Sequence, residues 1–298
     1  MFKNLSPKAL GVSASQGELI ELALSFGFRG IDLDVVQFAE QVRDQGLPKA
    51  RRLLDSAKLR IGTFALPFEL DADDEAWKQG LDKLPELASL ARELGGKRCQ
   101  TTIAPASDTR PYHQNFEFHR QRLTEVAGKL EPAGVHLAVG FEAWAHEREG
   151  KAFEFIHDLD ALLVLLGTVT ARNVGLAIDL WQVWAASSSL EAVRGRLKPG
   201  QIVTVAVADV EPGDCAAPDE CPPTSRRLPG ETGIIHAAEA LATLSSLGYD
   251  GPVTPCPDSS RFAGMRRDQI VKLCGQKLDE VWKAAGLKSA GAGIGARR

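Results

Sequence analysis

The chain has 298 residues, 44% hydrophobic and 25% charged, with a formal net charge of -4. This is the balance of an ordinary globular protein with chain enough for a large core. The weak acidity excludes the basic surface on which non-specific nucleic-acid binding depends. No run approaches the roughly 18–20 apolar residues of a membrane helix, and MFKNLSPKAL lacks the apolar stretch of a secretory signal. Five cysteines at irregular spacing read as reduced thiols of a cytoplasmic protein. Cys215 and Cys221 read as solvated loop thiols.

Apolar runs alternate with amphipathic stretches along the chain. ALGVSA (9–14) reads as a strand, and QGELIELALSFG as a helix stopped by Gly27. GIDLDV (30–35) is a strand, followed by a helix interrupted at Gly46-Leu47-Pro48. LRIGTFAL (59–66) is a strand, and DDEAWKQGLDKLPELASLARELGG a helix with acidic residues in its first turn, where the helix dipole favours them. KRCQTTIA (97–104) is a strand, and 112–132 a helix. VHLAVGFE (135–142) is a strand, and FEFIHDLDALLVLLG a helix. NVGLAIDL (173–180) is a strand with a short helix near 188–197. QIVTVAVAD (201–209) is a strand, IIHAAEALATLSSLG a helix, PVT (252–254) a strand, and RRDQIVKLCGQKLDEVWKAAG the closing helix. Residues 288–298 read as a flexible, basic, Gly/Ala-rich tail.

Eight strands alternating with eight helices predict parallel βαβ units, hence a single (β/α)8 barrel over residues 1–287. An open doubly wound sheet would want a Gly-rich phosphate loop after its first strand, and GVSASQGE is not one, so no nucleotide cofactor is expected. Barrel chemistry sits at the C-terminal strand ends. Read there, the chain offers Asp32 and Asp34, Glu142 with Trp144, Asp179 with Trp181, Gln182 and Trp184, then Asp209 and Cys256. The loop after the seventh strand adds Arg226, Arg227 and Glu231.

FGFRGIDLD (26–34), VHLAVGFE (135–142), NVGLAIDLWQ (173–182), RRLPGETGII (226–235) and GYDGPVT (248–254) occur in order over about residues 8–285. With them the chain resembles the xylose-isomerase-like TIM barrel superfamily of sugar phosphate isomerases and epimerases. The resemblance implies one divalent metal (Mn²⁺, Mg²⁺ or Zn²⁺) held by Glu, Asp, His and Glu from the last four strands, the two glutamates also moving the substrate's proton. Such an ion would polarise a carbonyl and acidify the neighbouring C–H. Carried over, Glu142 and Asp179 match the first two ligands. Ala206 stands in place of the histidine and Cys256 in place of the second glutamate, and Gln182 replaces a further histidine.

The resemblance therefore implies proton transfer next to a carbonyl of a small sugar or sugar phosphate. Glu142 would be the base, Cys256 or Asp209 its second partner, and Glu142, Asp179 and Asp209 the remaining metal set. Trp144, Trp181, Gln182 and Arg226 would bind the ligand, the indoles by stacking and Arg226 by bidentate pairing with an anionic group. The alternative is a catalytically degenerate barrel that binds a sugar-like ligand or a partner without metal-dependent turnover, the metal site then standing empty. An abasic-site endonuclease shares the barrel but needs several strand-end histidines, which this chain lacks. No nucleic acid or membrane partner is expected, and homo-oligomerisation is left open.

Overall fold

A computed structural model describes residues 1–197 and 200–288. The expected tail beyond residue 288 lies outside them. The elements run β1 Phe2–Leu5, α1 Gln16–Ser25, β2 Gly30–Ile31, α2 Val35–Gln45, α3 Leu47–Ala57, β3 Arg60–Ile61, β4 Phe64–Ala65, α4 Asp74–Glu93, β5 Arg98–Ile103 and α5 Tyr112–Leu130. They continue β6 His136–Phe141, α6 Leu159–Thr168, β7 Val174–Asp179, α7 Leu180–Ala185, β8 Ile202–Val207, α8 Ala237–Ser246, β9 Pro252–Pro255 and α9 Arg267–Ala284. Short 3-10 turns and a four-residue helix, Leu190–Val193, fill the connections.

The nine strands form one sheet in the order β3-β2-β1-β9-β8-β7-β6-β5-β4, and every ladder is parallel. No ladder pairs the two edges. They lie instead on one extended segment, with only Gly62 and Thr63 between β3 and β4. Along that segment Gly62 N–H donates to Ile31 O at 2.9 Å on one side, and Leu66 N–H to Gln100 O at 2.8 Å on the other. The strands are runs such as IVTVAV and VGLAID with both faces covered, as parallel sheets flanked by helices require. Several helix starts are set by side-chain caps. Asp34 Oδ1 accepts from Gln37 N–H at 2.9 Å, and Asp73 Oδ1 accepts from Glu75 and Ala76 N–H, each satisfying donors a first turn leaves open.

Three expectations are corrected. The first strand is Phe2–Leu5, not 9–14. Residues 7–11 are turn, with Gly11 at φ 63 in the left-handed region that a side chain resists. The segment at 153–154 is not helical but pairs antiparallel with Ala106–Ser107, and helix α6 starts only at Leu159, capped by Asp158. Asp34 lies outside its strand, because its carboxylate caps α2. A helix the sequence reading did not separate, α7, follows β7 directly. Among the described residues no helix is long and apolar enough to cross a membrane.

Candidate functional site

A cavity of about 1010 Å³ opens at the C-terminal ends of the strands. Its wall includes Asp32, Glu142, Asp179, Gln182, Arg226 and Cys256. The ladder register explains why these meet. Ala206 on β8 lies between Asp179 of β7 and Thr254 of β9, so its methyl occupies the position between two polar strand ends.

Glu142 follows β6 directly. Gln182, 5% exposed, donates from Nε2 to Glu142 Oε2 at 2.7 Å. The orientation of that amide is fixed from behind, because Ala143 N–H donates to Gln182 Oε1 at 2.8 Å. The side of Gln182 that faces the carboxylate is therefore its NH₂ group. Burial raises the Glu142 pKa, with the Gln182 bond and the Arg226 charge pulling the other way.

Asp179 ends β7 and caps α7. Its Oδ1 accepts from Trp181 N–H at 3.0 Å, and its Oδ2 from Arg226 Nη1 at 2.7 Å. Arg226 reaches this point from a loop fixed by three devices. A two-residue antiparallel ladder joins Asp209–Val210 to Arg226–Arg227. Glu211 N–H donates to Ser225 O at 3.0 Å. The guanidinium then lies over the Trp181 ring, 4.5 Å from its centroid, which favours a cation. The alternation of the ladder sends Arg226 inward and its neighbour Arg227 outward to Glu211. Burial opposes the Arg226 charge, and Asp179, Cys256 and Glu142 more than restore it, so its pKa lies above the ordinary arginine value.

Cys256 bonds through its backbone N–H to Val207 O at 2.9 Å and presents its side chain to the cavity. Burial pushes the thiol up to about 11, against the opposing pull of Arg226. It is a protonated thiol at neutral pH, which does not suit a thiolate ligand or nucleophile. Arg261 gives it no help, because both of its terminal nitrogens pair with Glu231, at 2.8 and 2.7 Å.

Three expected site residues stand elsewhere. Asp209 does not line the cavity. It is fully buried, and its oxygens accept from the backbone N–H groups of Val210, Thr232, Gly233 and Ile235, so it anchors the loop that follows. Trp181 is fully buried beneath Arg226 and offers no open face, while Trp144 packs on His146 away from the cavity wall. Cys221 is also buried rather than solvated. The sequence reading noted Asp32 but missed its partners. Asn4 Nδ2 donates to Asp32 Oδ1 at 2.7 Å and to Thr254 Oγ1 at 3.0 Å, and Thr63 N–H to Asp32 Oδ1 at 2.9 Å. Burial raises the Asp32 pKa, and Asn4 Oδ1 is buried with no partner. The signal was the polar Asn4 inside FKNL, a run too short to read as a strand.

The donor set does not fit a divalent metal. Among the described residues no group of three or more His, Cys, Asp or Glu side chains could hold one. Each oxygen of Asp179 already takes a donor, Gln182 presents an NH₂ that cannot ligate, and a guanidinium stands against the carboxylate.

Residues 20–273 match the profile of a family described as a xylose isomerase-like TIM barrel. None of the curated proteins matches. Among solved structures, the chain is similar to a xylose isomerase domain protein from Alicyclobacillus acidocaldarius subsp. acidocaldarius. The two share 22% identity at a TM-score of 0.85, over 96% of this chain and 99% of that one. It is similar to the IOLI protein with a bound zinc atom, at 17% identity and TM-score 0.79 over 95% and 99%. It is also similar to D-psicose 3-epimerase with D-tagatose from Clostridium cellulolyticum H10, at 15% identity and TM-score 0.73 over 96% and 99%. At these identities the likeness carries the fold.

Proposed function

This chain belongs to the xylose isomerase-like TIM barrel family, and on that premise we propose that it binds a small sugar-like carbonyl compound and moves a proton next to the carbonyl. One observation carries the reading: the Glu142 carboxyl lines the cavity in a single orientation, held by Gln182, which is itself held by the Ala143 amide. Burial keeps that carboxyl more basic than an exposed one, which suits a general base. Glu142 takes the proton of the C–H next to the carbonyl. The electron pair moves onto the carbonyl oxygen to give an enediolate. Return of a proton to the opposite face of the same carbon gives the epimer; passage of the neighbouring hydroxyl's proton to the former carbonyl oxygen, with the carbon-bound proton delivered to the former carbonyl carbon, gives the isomer. Gln182 and Arg226 supply donors to the ligand's oxygens. A ketose-sized ligand is supported by the neighbour described with D-tagatose and by the roomy cavity.

A panel of ketoses and sugar phosphates incubated with the protein in deuterated water tests this. Deuterium should enter next to the carbonyl with wild type and not with Glu142→Gln. No exchange with any compound would sink proton transfer. Binding of the same compounds without exchange would favour the second reading, a ligand-binding barrel without turnover, which the replacement of two expected metal-binding positions by Ala206 and Cys256 supports.

A further inference from the structure

Asp179 and Glu142 are strand-end carboxylates on one cavity wall, and the charge that answers them is already built into the chain. Arg226 Nη1 is bonded to Asp179 Oδ2, its guanidinium is stacked on Trp181, and its side chain is only 11% exposed. Among the described residues its other N–H donors have no protein acceptor, and the side chain lines the cavity, so those donors are available to a ligand. Around it, Ala206 contributes a methyl in register between Asp179 and Thr254, and Gln182 contributes an NH₂ toward Glu142. These substitutions belong together. Ala206 has no lone pair to offer a metal, the NH₂ that Gln182 turns toward Glu142 has none either, and the arginine adds a fixed cation where a divalent ion would meet repulsion.

We infer that the Arg226 guanidinium is the electrophile of this cavity: it neutralises the Asp179 carboxylate and takes the ligand's carbonyl oxygen through N–H donors, in a site that binds no divalent metal. A planar fork of donors suits this, since it can hold Asp179 with one edge and a developing enediolate oxygen with another. As Glu142 removes the C–H proton, the electron pair settles on that oxygen. It returns to carbon when the proton is given back, so nothing is oxidised or reduced overall. The catalytic part of this inference rests on the proton-transfer reading above; the part that concerns metal does not.

Mn²⁺ titration by calorimetry and electron paramagnetic resonance tests it on wild type, Arg226→Ala, Arg226→Lys and Arg226→Ala/Asp179→Asn, each checked for folding by circular dichroism. Wild type and Arg226→Lys keep the fixed charge and should show no saturable Mn²⁺ site below millimolar concentration. Arg226→Ala should gain affinity on the order of a hundredfold, because a cation facing the ion is removed, and the double variant should lose that gain. Stoichiometric Mn²⁺ in wild type, abolished by Asp179→Asn, would overturn the inference. So would a folded Arg226→Ala that gains nothing. Should Arg226→Ala fail to fold, Arg226→Gln carries the same expectation. The readout does not involve turnover, so a silent exchange assay would remove the proton-transfer reading without deciding the metal question.

Discussion

Arg226 Nη1 donates to Asp179 Oδ2 at 2.7 Å, joining the end of β7 to a loop 47 residues further along the chain. That pair decides the character of the cavity. Without it Asp179 would be an open strand-end carboxylate, and the guanidinium would be a buried charge with no partner. Removing one member of a buried pair costs roughly 3–5 kcal/mol because the other is left uncompensated. The cavity admits some solvent here, so Asp179→Ala is expected to destabilise by about 3 kcal/mol, at the low end of that range. Asp179→Ala/Arg226→Met should be more stable than Asp179→Ala alone. Urea unfolding of Asp179→Ala, Arg226→Met and the double variant checks this, and additive losses would contradict it.

Glu142 gives a stability that depends on pH in a definite direction. Its pKa is raised by burial, so the native state holds the proton more tightly than the unfolded chain. Its contribution is full below the ordinary carboxylate value of about 4.3 and is lost as pH rises through the native value. Glu142→Gln cannot ionise and escapes that loss. Thermal melts should show the variant above wild type at about pH 8 and equal to it at about pH 4. A gain confined to acid pH would contradict the assignment.

Asp209 is a fastener of the loop after β8. Asp209→Ala leaves the N–H groups of Thr232, Gly233 and Ile235 without the acceptor they now share. Hydrogen bonds to a charged group contribute about 1.5–3 kcal/mol each, so a loss of about 3 kcal/mol or more is expected. Hydrogen exchange should quicken at residues 232–235 while the amides of β6 and β7 stay protected. Uniform quickening across the sheet would argue for a global effect instead.

Gly62, between the two sheet edges, has no room for a side chain. A Cβ there would come within 2.2 Å of Asn4 Oδ1. Gly62→Ala must displace the Asn4 amide from Asp32 and Thr254, and overpacking of this kind costs roughly 1–3 kcal/mol. In Gly62→Ala/Asn4→Ala the clash is gone, so the glycine change should cost less on that background. A double-mutant cycle by thermal unfolding reads the difference, and strict additivity would show that Asn4 is not the obstacle.

Much of the sheet could be read from local pattern. Runs such as VGLAID and IVTVAV are apolar on both faces, as a doubly covered parallel strand requires. The first strand was misread because FKNL is four residues long with Lys3 and Asn4 inside it, whereas Leu10 and Val12 are buried without being a strand. Burial of apolar side chains does not by itself distinguish a strand from a packed turn.

Sequence alone determined the alternation of strands and helices and the placing of Glu142 and Asp179 at strand ends, because strand periodicity and strand ends are properties of neighbouring residues, whereas Gln182, Ala206 and Cys256 stood out only against the pattern the resemblance implies. What those residues do was decided by tertiary structure. Trp181 is the buried floor beneath Arg226, Asp209 is spent on backbone amides, and Gln182 is turned to give its NH₂ to Glu142. Each role depends on which partner reaches a carboxylate oxygen or an indole face first, and those partners lie tens of residues away along the chain, where no local pattern records them.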